Sequence, residues 1–255
     1  MRNGICIVML TLLAIVAPAA AWQSEDDPFT RGNRAFRLGQ YELAAFEYRQ
    51  ALNPTDRHYA ETNYNLGACY YAMGQKREAA DWFRAALKAQ RGRYVNAAYA
   101  LGVVLEELQE WAQARAAFKQ AVEASDGKHA AAWFRYGLAL QREGQLALAA
   151  ESYGRAASAS HDRLPASHNN LGIILARWHR FDEAAREFAR ALELSRGAFA
   201  EARYNLSLCQ RLRRYEAPAL LAQIRVSESN APATSVSPKN EKNTPEGDRN
   251  DLQQH

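Results

Sequence analysis

Ser160, His161 and Asp162 carry the residue types of a hydrolytic triad, and Asn205-Leu206-Ser207 has the spacing of a glycosylation acceptor. Neither does that chemistry here. Three consecutive residues cannot take the separate stations of nucleophile, base and orienter, so Ser160 to Asp162 read as a polar turn. The acceptor sequence falls inside a predicted packed helix rather than on an exposed loop. No HExxH, CxxC, phosphate-binding glycine loop or GxSxG occurs, and the six histidines are scattered. The expectation is therefore no catalytic residue, no metal and no cofactor. Cys69 and Cys209 occupy equivalent places in distant repeats, too far apart for a disulfide, and read as buried structural thiols.

What remains is chemistry of binding, carried by aromatic and arginine side chains, and the elements that position them are set by a repeat. Gly32, Gly67, Gly102, Gly137 and Gly172 follow one another at intervals of 35, and Ser207 continues the series. The same interval links Ala44, Ala79, Ala114, Ala149 and Ala184, then Tyr48, Phe83, Phe118, Tyr153 and Phe188, then Ala51, Ala86, Ala121, Ala156 and Ala191. Within each unit apolar residues recur at three and four, as on one face of a helix. Gly39-Gln40, Gly74-Gln75 and Gly144-Gln145 break the pattern near the middle, where glycine can end one helix in the left-handed conformation and let a second run back. Each unit is predicted to be a helical hairpin that buries its faces only by stacking on its neighbours.

Asn63, Leu66-Gly67, Tyr70, Ala79 and Phe83 in the second unit, with Trp133, Tyr136-Gly137, Leu140, Ala149 and Tyr153 in the fourth, resemble the tetratricopeptide repeat family. The resemblance runs from about Phe29 to Leu194 in five hairpins, with a sixth first helix at Ala200 to Arg213. The period is 35 where the family has 34, and only Pro54 stands near the family's closing proline. The resemblance implies an all-α fold, a right-handed superhelical α-solenoid of stacked hairpins, whose concave groove holds a protein or peptide. Pentatricopeptide arrays, which read RNA, share the period, but the glycine, alanine and aromatic columns are those of the tetratricopeptide pattern. Mapped onto this chain, the family's inward positions are Phe29, Tyr64, Tyr99, Phe134, Asn169 and Tyr204, with Tyr71, Arg142, Arg177 and Arg211 on the same wall. Asn33 and Asn65 match the asparagines of a carboxylate clamp whose basic members are absent, because those positions hold Phe29, Asn96 and Ala100. Glu106 and Glu107 followed by the arginines suggest a groove graded from acidic to basic.

Composition fits this reading. Over 255 residues, 48% hydrophobic and 24% charged content is that of an ordinary globular chain. Lys and Arg number 32 against 28 acidic residues, a mild excess that does not imply nucleic acid. No small-molecule substrate is implied either. Arg2, the apolar run Ile5 to Val16 and Pro18-Ala19-Ala20-Ala21 have the order of a secretory signal. The predicted organisation is a signal peptide over 1–21, a linker over 22–27, the array over 28–226 ending in a capping helix from Glu216, and a disordered polar tail over 227–255. Function is then expected to be that of a non-catalytic, exported, periplasmic scaffold, an accessory component of a cell-envelope complex. The alternative is an uncleaved N-terminal helix that anchors the array at the inner membrane, facing the periplasm, as part of a secretion, pilus or division machine.

Overall fold

Proline and an acidic cap open the first helix. Asp27 accepts a hydrogen bond from the Thr30 amide at 3.0 Å, and Pro28 stands at the first helical position, where a missing amide costs nothing. The computed structural model describes residues 27–215 together with Gln223, Ile224 and Val226. The predicted signal peptide, the tail and most of the predicted capping helix lie outside the described residues.

All regular structure among the described residues is helical. Five hairpins follow one another: α1 (Pro28–Arg37) with α2 (Tyr41–Gln50), α3 (Tyr59–Ala72) with α4 (Lys76–Ala89), α5 (Val95–Glu107) with α6 (Trp111–Ala124), α7 (Ala130–Arg142) with α8 (Leu146–Ala159), and α9 (Pro165–Arg177) with α10 (Phe181–Leu194). A single helix, α11 (Ala200–Tyr215), ends the series. Each helix packs on the one before and the one after, and α9 also touches α11 directly. The architecture is an all-α helical solenoid.

The glycine column sets how closely the two helices of a hairpin approach. A Cβ added at Gly67 or Gly102 would lie 2.6 Å from the ring of Phe83 or Phe118, inside any allowed contact. Only hydrogen fits there. The rings so accommodated, Tyr48, Phe83, Phe118, Tyr153 and Phe188, are at most 1% exposed, and burying each stabilises the stack by about 1.5–3 kcal/mol. The turn inside each hairpin needs a left-handed residue, which Gly39, Gly74 and Gly144 supply at φ +73°, +77° and +75°. Gln109 and His179 stand at the equivalent places and adopt φ +62° and +59° without glycine's freedom.

Cys69 and Cys209 are both buried free thiols. Burial pushes them up to about 12 and about 11, so neither is a nucleophile near neutral pH.

Candidate functional site

The first helices α1, α3, α5, α7, α9 and α11 form the wall on which the sequence places the binding residues. The ladder is not on its open surface. Tyr64, Tyr99 and Phe134 are 3%, 4% and 0% exposed, and Asn169 is fully buried. Phe29 is half-buried. Phe29, Tyr64, Tyr99 and Phe134 each lie against the second-helix ring of their own hairpin, Tyr48, Phe83, Phe118 and Tyr153, with centroids 5.8, 5.4, 5.8 and 5.7 Å apart. The next repeat covers the other side. His58 stacks on Phe29 at 5.2 Å, while Tyr94 meets Tyr64 at 5.4 Å and His129 meets Tyr99 at 5.0 Å with the rings tilted. A large apolar ring at this position fills the seam between hairpins, which is why Tyr64, Tyr99 and Phe134 are core residues rather than a peptide-binding surface.

The clamp asparagines are likewise structural. Asn33 Oδ1 accepts from the Tyr48 hydroxyl at 2.7 Å and from Asn65 Nδ2 at 3.3 Å, with Asn33 7% and Asn65 0% exposed. Asn205 Nδ2 donates to Asn169 Oδ1 at 3.0 Å, and Asn169 Nδ2 to Asn170 Oδ1 at 3.2 Å. These amides join neighbouring first helices, α1 to α3 and α9 to α11, in sites where an unmet polar group would be costly. Asn205 is fully buried and so closed to glycosylation.

The acidic end of the expected gradient is already neutralised. Glu106 pairs with Arg135 at 2.7 Å. Glu107 accepts from the Tyr71 hydroxyl at 2.6 Å and pairs with Lys76 at 3.0 Å. Burial, and then the bond to Glu107, push the Tyr71 phenol up to about 12. Tyr71 therefore ties α3 to α5. Arg142 is exposed but held, its guanidinium 4.4 Å over the face of Trp111. Arg177 and Arg211 are exposed and make no ion pair or side-chain hydrogen bond among the described residues. Tyr204 is half-buried, with its hydroxyl 3.5 Å from Gln223 Oε1. Of the twelve candidate residues, Arg142, Arg177 and Arg211 are exposed and Phe29, Tyr71 and Tyr204 half-buried, and of the exposed three only Arg177 and Arg211 meet no other side chain among the described residues.

Ser160, His161 and Asp162 form a turn between α8 and α9. The Ser160 hydroxyl donates to Ala157 O at 2.8 Å, and Asp162 pairs with Arg190 at 3.1 Å. No three His, Cys, Asp or Glu side chains gather to hold a metal among the described residues. No described helix is long and apolar enough to cross a membrane.

Two stretches of the chain, residues 60–92 and 99–165, match models of the tetratricopeptide repeat. No curated protein matches the chain. Solved structures do: a crystal structure of MamA is 23% identical, with a TM-score of 0.57, over 65% of this chain and 94% of that one. MamA from Desulfovibrio magneticus RS-1, residues 41 to the end, is 23% identical over 69% of this chain and all of that one, with a TM-score of 0.56. YrrB, described as a TPR protein with an unusual peptide-binding site, is 22% identical over 74% of this chain and 92% of that one, with a TM-score of 0.55. At these identities the structures speak to the fold, which they share with this chain.

Proposed function

Because the chain is a tetratricopeptide-repeat protein, we propose that it is a non-catalytic scaffold that holds a protein partner against the first-helix wall at its C-terminal end. The observation that carries this is the pair Arg177 and Arg211, exposed on successive first helices without a partner among the described residues. Elsewhere on the wall the charges answer one another, Glu106 with Arg135 and Glu107 with Lys76. Two uncompensated arginines attract a carboxylate and hydrogen-bond it in a fixed geometry. The partner therefore presents acidic groups to α9 and α11, as an extended or helical segment.

Export to the envelope is part of the same reading and rests on Arg2, the apolar run Ile5 to Val16 and the small residues ending at Ala21. One observation favours the anchored alternative as a second reading. Leu38, Leu43 and Phe46 on the first hairpin are 67%, 47% and 56% exposed. In later hairpins the places of Leu43 and Phe46 are mostly taken by polar residues, such as Glu78, Glu183, Asp81 and Glu151. An apolar patch beside Arg34 and Arg37, just after the N-terminal apolar run, suits a lipid surface. N-terminal sequencing of the exported protein separates the two readings: a start at Trp22 removes the anchor.

The test of the scaffold is affinity capture from envelope extract with the tagged chain and with an Arg177→Ala, Arg211→Ala variant. The reading expects a partner retained by the first and lost by the second, with capture weakening as salt rises. Equal capture by both, at low and high salt, would remove the arginine wall from the function.

A further inference from the structure

The two edges of the array are charged differently. Second helices end and first helices begin at the turns between hairpins, while the turns within hairpins lie at the opposite edge. Along the within-hairpin edge charges are paired: Lys76 with Glu107 at 3.0 Å, Arg115 with Glu143 at 2.9 Å and Arg180 with Glu183 at 2.6 Å. Along the edge between hairpins they are not. Arg91 and Arg93 follow α4, Lys128 follows α6, Arg163 follows α8 and Arg196 follows α10. All five are exposed, and none makes an ion pair or side-chain hydrogen bond among the described residues. Two acidic residues share these four turns, Asp126 and Asp162. Asp162 is held by Arg190 at 3.1 Å, which leaves Asp126 to face the five cations.

The turns do not need these side chains to close. Arg91 and Arg196 hold φ +50° and +52°, but Asp126 and His161 serve the same place at +51° and +50°. The position asks for a left-handed backbone and nothing from a guanidinium. The apolar residues of the same turns, Tyr94, Leu164 and Phe199, are buried, and the exposed large hydrophobic residues all lie elsewhere. This edge therefore presents separated positive charge with no apolar anchor and no open aromatic ring. A specific protein contact centres on aromatic or aliphatic anchors, and single-stranded nucleic acid stacks its bases on aromatic side chains. A bilayer containing anionic lipid requires neither, because its diffuse negative charge attracts Lys and Arg at the surface.

We propose that the edge formed by the turns between hairpins is a contact surface for anionic lipid, made by its five cations. Arg177 ends α9 at the opposite edge, about 20 Å away along a helix of 13 residues. An array held by this edge keeps its arginine wall turned away from the lipid, towards a protein partner, although the lipid contact does not depend on that partner. The contact also differs from a seat on Leu38, Leu43 and Phe46, since Leu38 stands in a turn within a hairpin.

The probe is sucrose-loaded vesicles, of phosphatidylcholine alone or mixed with phosphatidylglycerol, sedimented with the full chain. The increment between the two compositions separates charge from any contribution of the apolar run Ile5 to Val16. Arg93→Gln, Lys128→Gln, Arg163→Gln is expected to lower affinity for the phosphatidylglycerol vesicles roughly a hundredfold, at about fivefold for each cation removed. Added salt is expected to weaken binding by the unaltered chain. Arg177→Gln, Arg211→Gln removes charge from the other edge and is expected to leave vesicle binding unchanged. Circular dichroism checks that each variant remains helical, and if the triple variant does not, its three single substitutions replace it. Equal binding by the unaltered chain and the triple variant overturns the proposal. So does a loss produced instead by Leu38→Ser, Phe46→Ser, which would put the lipid contact on the first hairpin. Polyglutamate or duplex DNA bound through the same residues more tightly than the vesicles, at equal salt, also overturns it, because the edge would then serve an acidic protein or a nucleic acid. Vesicle binding with failed partner capture counts against the scaffold reading and leaves the lipid edge standing.

Discussion

Gln109 holds a backbone conformation that its neighbours in the repeat assign to glycine. Its φ is +62°, its side chain is exposed, and at Gly39, Gly74 and Gly144 a Cβ would meet nothing within 4 Å. The glycine of this turn is thus selected by backbone conformation and not by crowding. A left-handed L-residue costs roughly 1–2 kcal/mol, and glycine returns part of that as unfolded-chain entropy. Gln109→Gly should therefore stabilise the protein by about 0.5–1 kcal/mol, read as a rise in the midpoint of urea unfolding. His129 makes a prediction of the opposite kind. Its Nδ1 accepts from the Ala132 amide at 3.0 Å and caps α7, and burial pulls the imidazole below its usual 6.5. The folded state then binds its proton less readily than the unfolded state, so stability is fully present above 6.5 and is lost as pH falls toward the lowered value. His129→Asn, which keeps an acceptor at the cap, should flatten the fall in unfolding midpoint between pH 7.5 and pH 5. The ladder shows what spacing alone cannot report. Tyr64, Tyr99 and Phe134 recur at 35 whether they face a groove or the seam between hairpins, because periodicity identifies equivalent positions and says nothing of what covers them. Burial at 3%, 4% and 0% decided it.

A hairpin is the element on which everything else depends, and here the sequence was legible. The glycine and aromatic columns that revealed the repeat are the two halves of one contact, Gly102 against Phe118 and its equivalents. Gly102→Ala places a Cβ 2.6 Å from that ring in the central hairpin. The expected loss is about 1–3 kcal/mol, the usual range for overpacking, measured by chemical denaturation. Gly39→Ala provides a contrast, since its cost comes from φ +73° with open space around it. Relief of the crowding by Phe118→Leu should restore part of the loss at Gly102 and none at Gly39, a coupling that a double-mutant cycle reads directly. Ile224 and Val226, which pack on the cluster of Ile173, Phe188 and Cys209, fall in the stretch from Glu216 that reads in the sequence as a capping segment.

Among the described residues the contacts are chiefly between neighbours: each helix packs on the one before and after it, and side chains also join successive first helices, as Asn65 does α3 to α1 and Tyr71 does α3 to α5. In such an array stability is close to a sum of unit and interface terms, so its ends open more readily than its middle. The N-terminal end has short helices of ten residues each and leaves Leu38, Leu43 and Phe46 exposed. At the C-terminal end of the described residues, α11 is secured by α10, by the Asn205–Asn169 bond and by Ile224 and Val226. Native-state hydrogen exchange should therefore show α5 to α8 as the slowest amides, with α1, α2 and α11 opening first. Ile224→Asp, Val226→Asp should speed exchange in α9 to α11 while leaving α3 to α6 unchanged, because both side chains pack on Ile173, Phe188 and Cys209. Uniform acceleration along the chain would instead mean that the array unfolds as one unit.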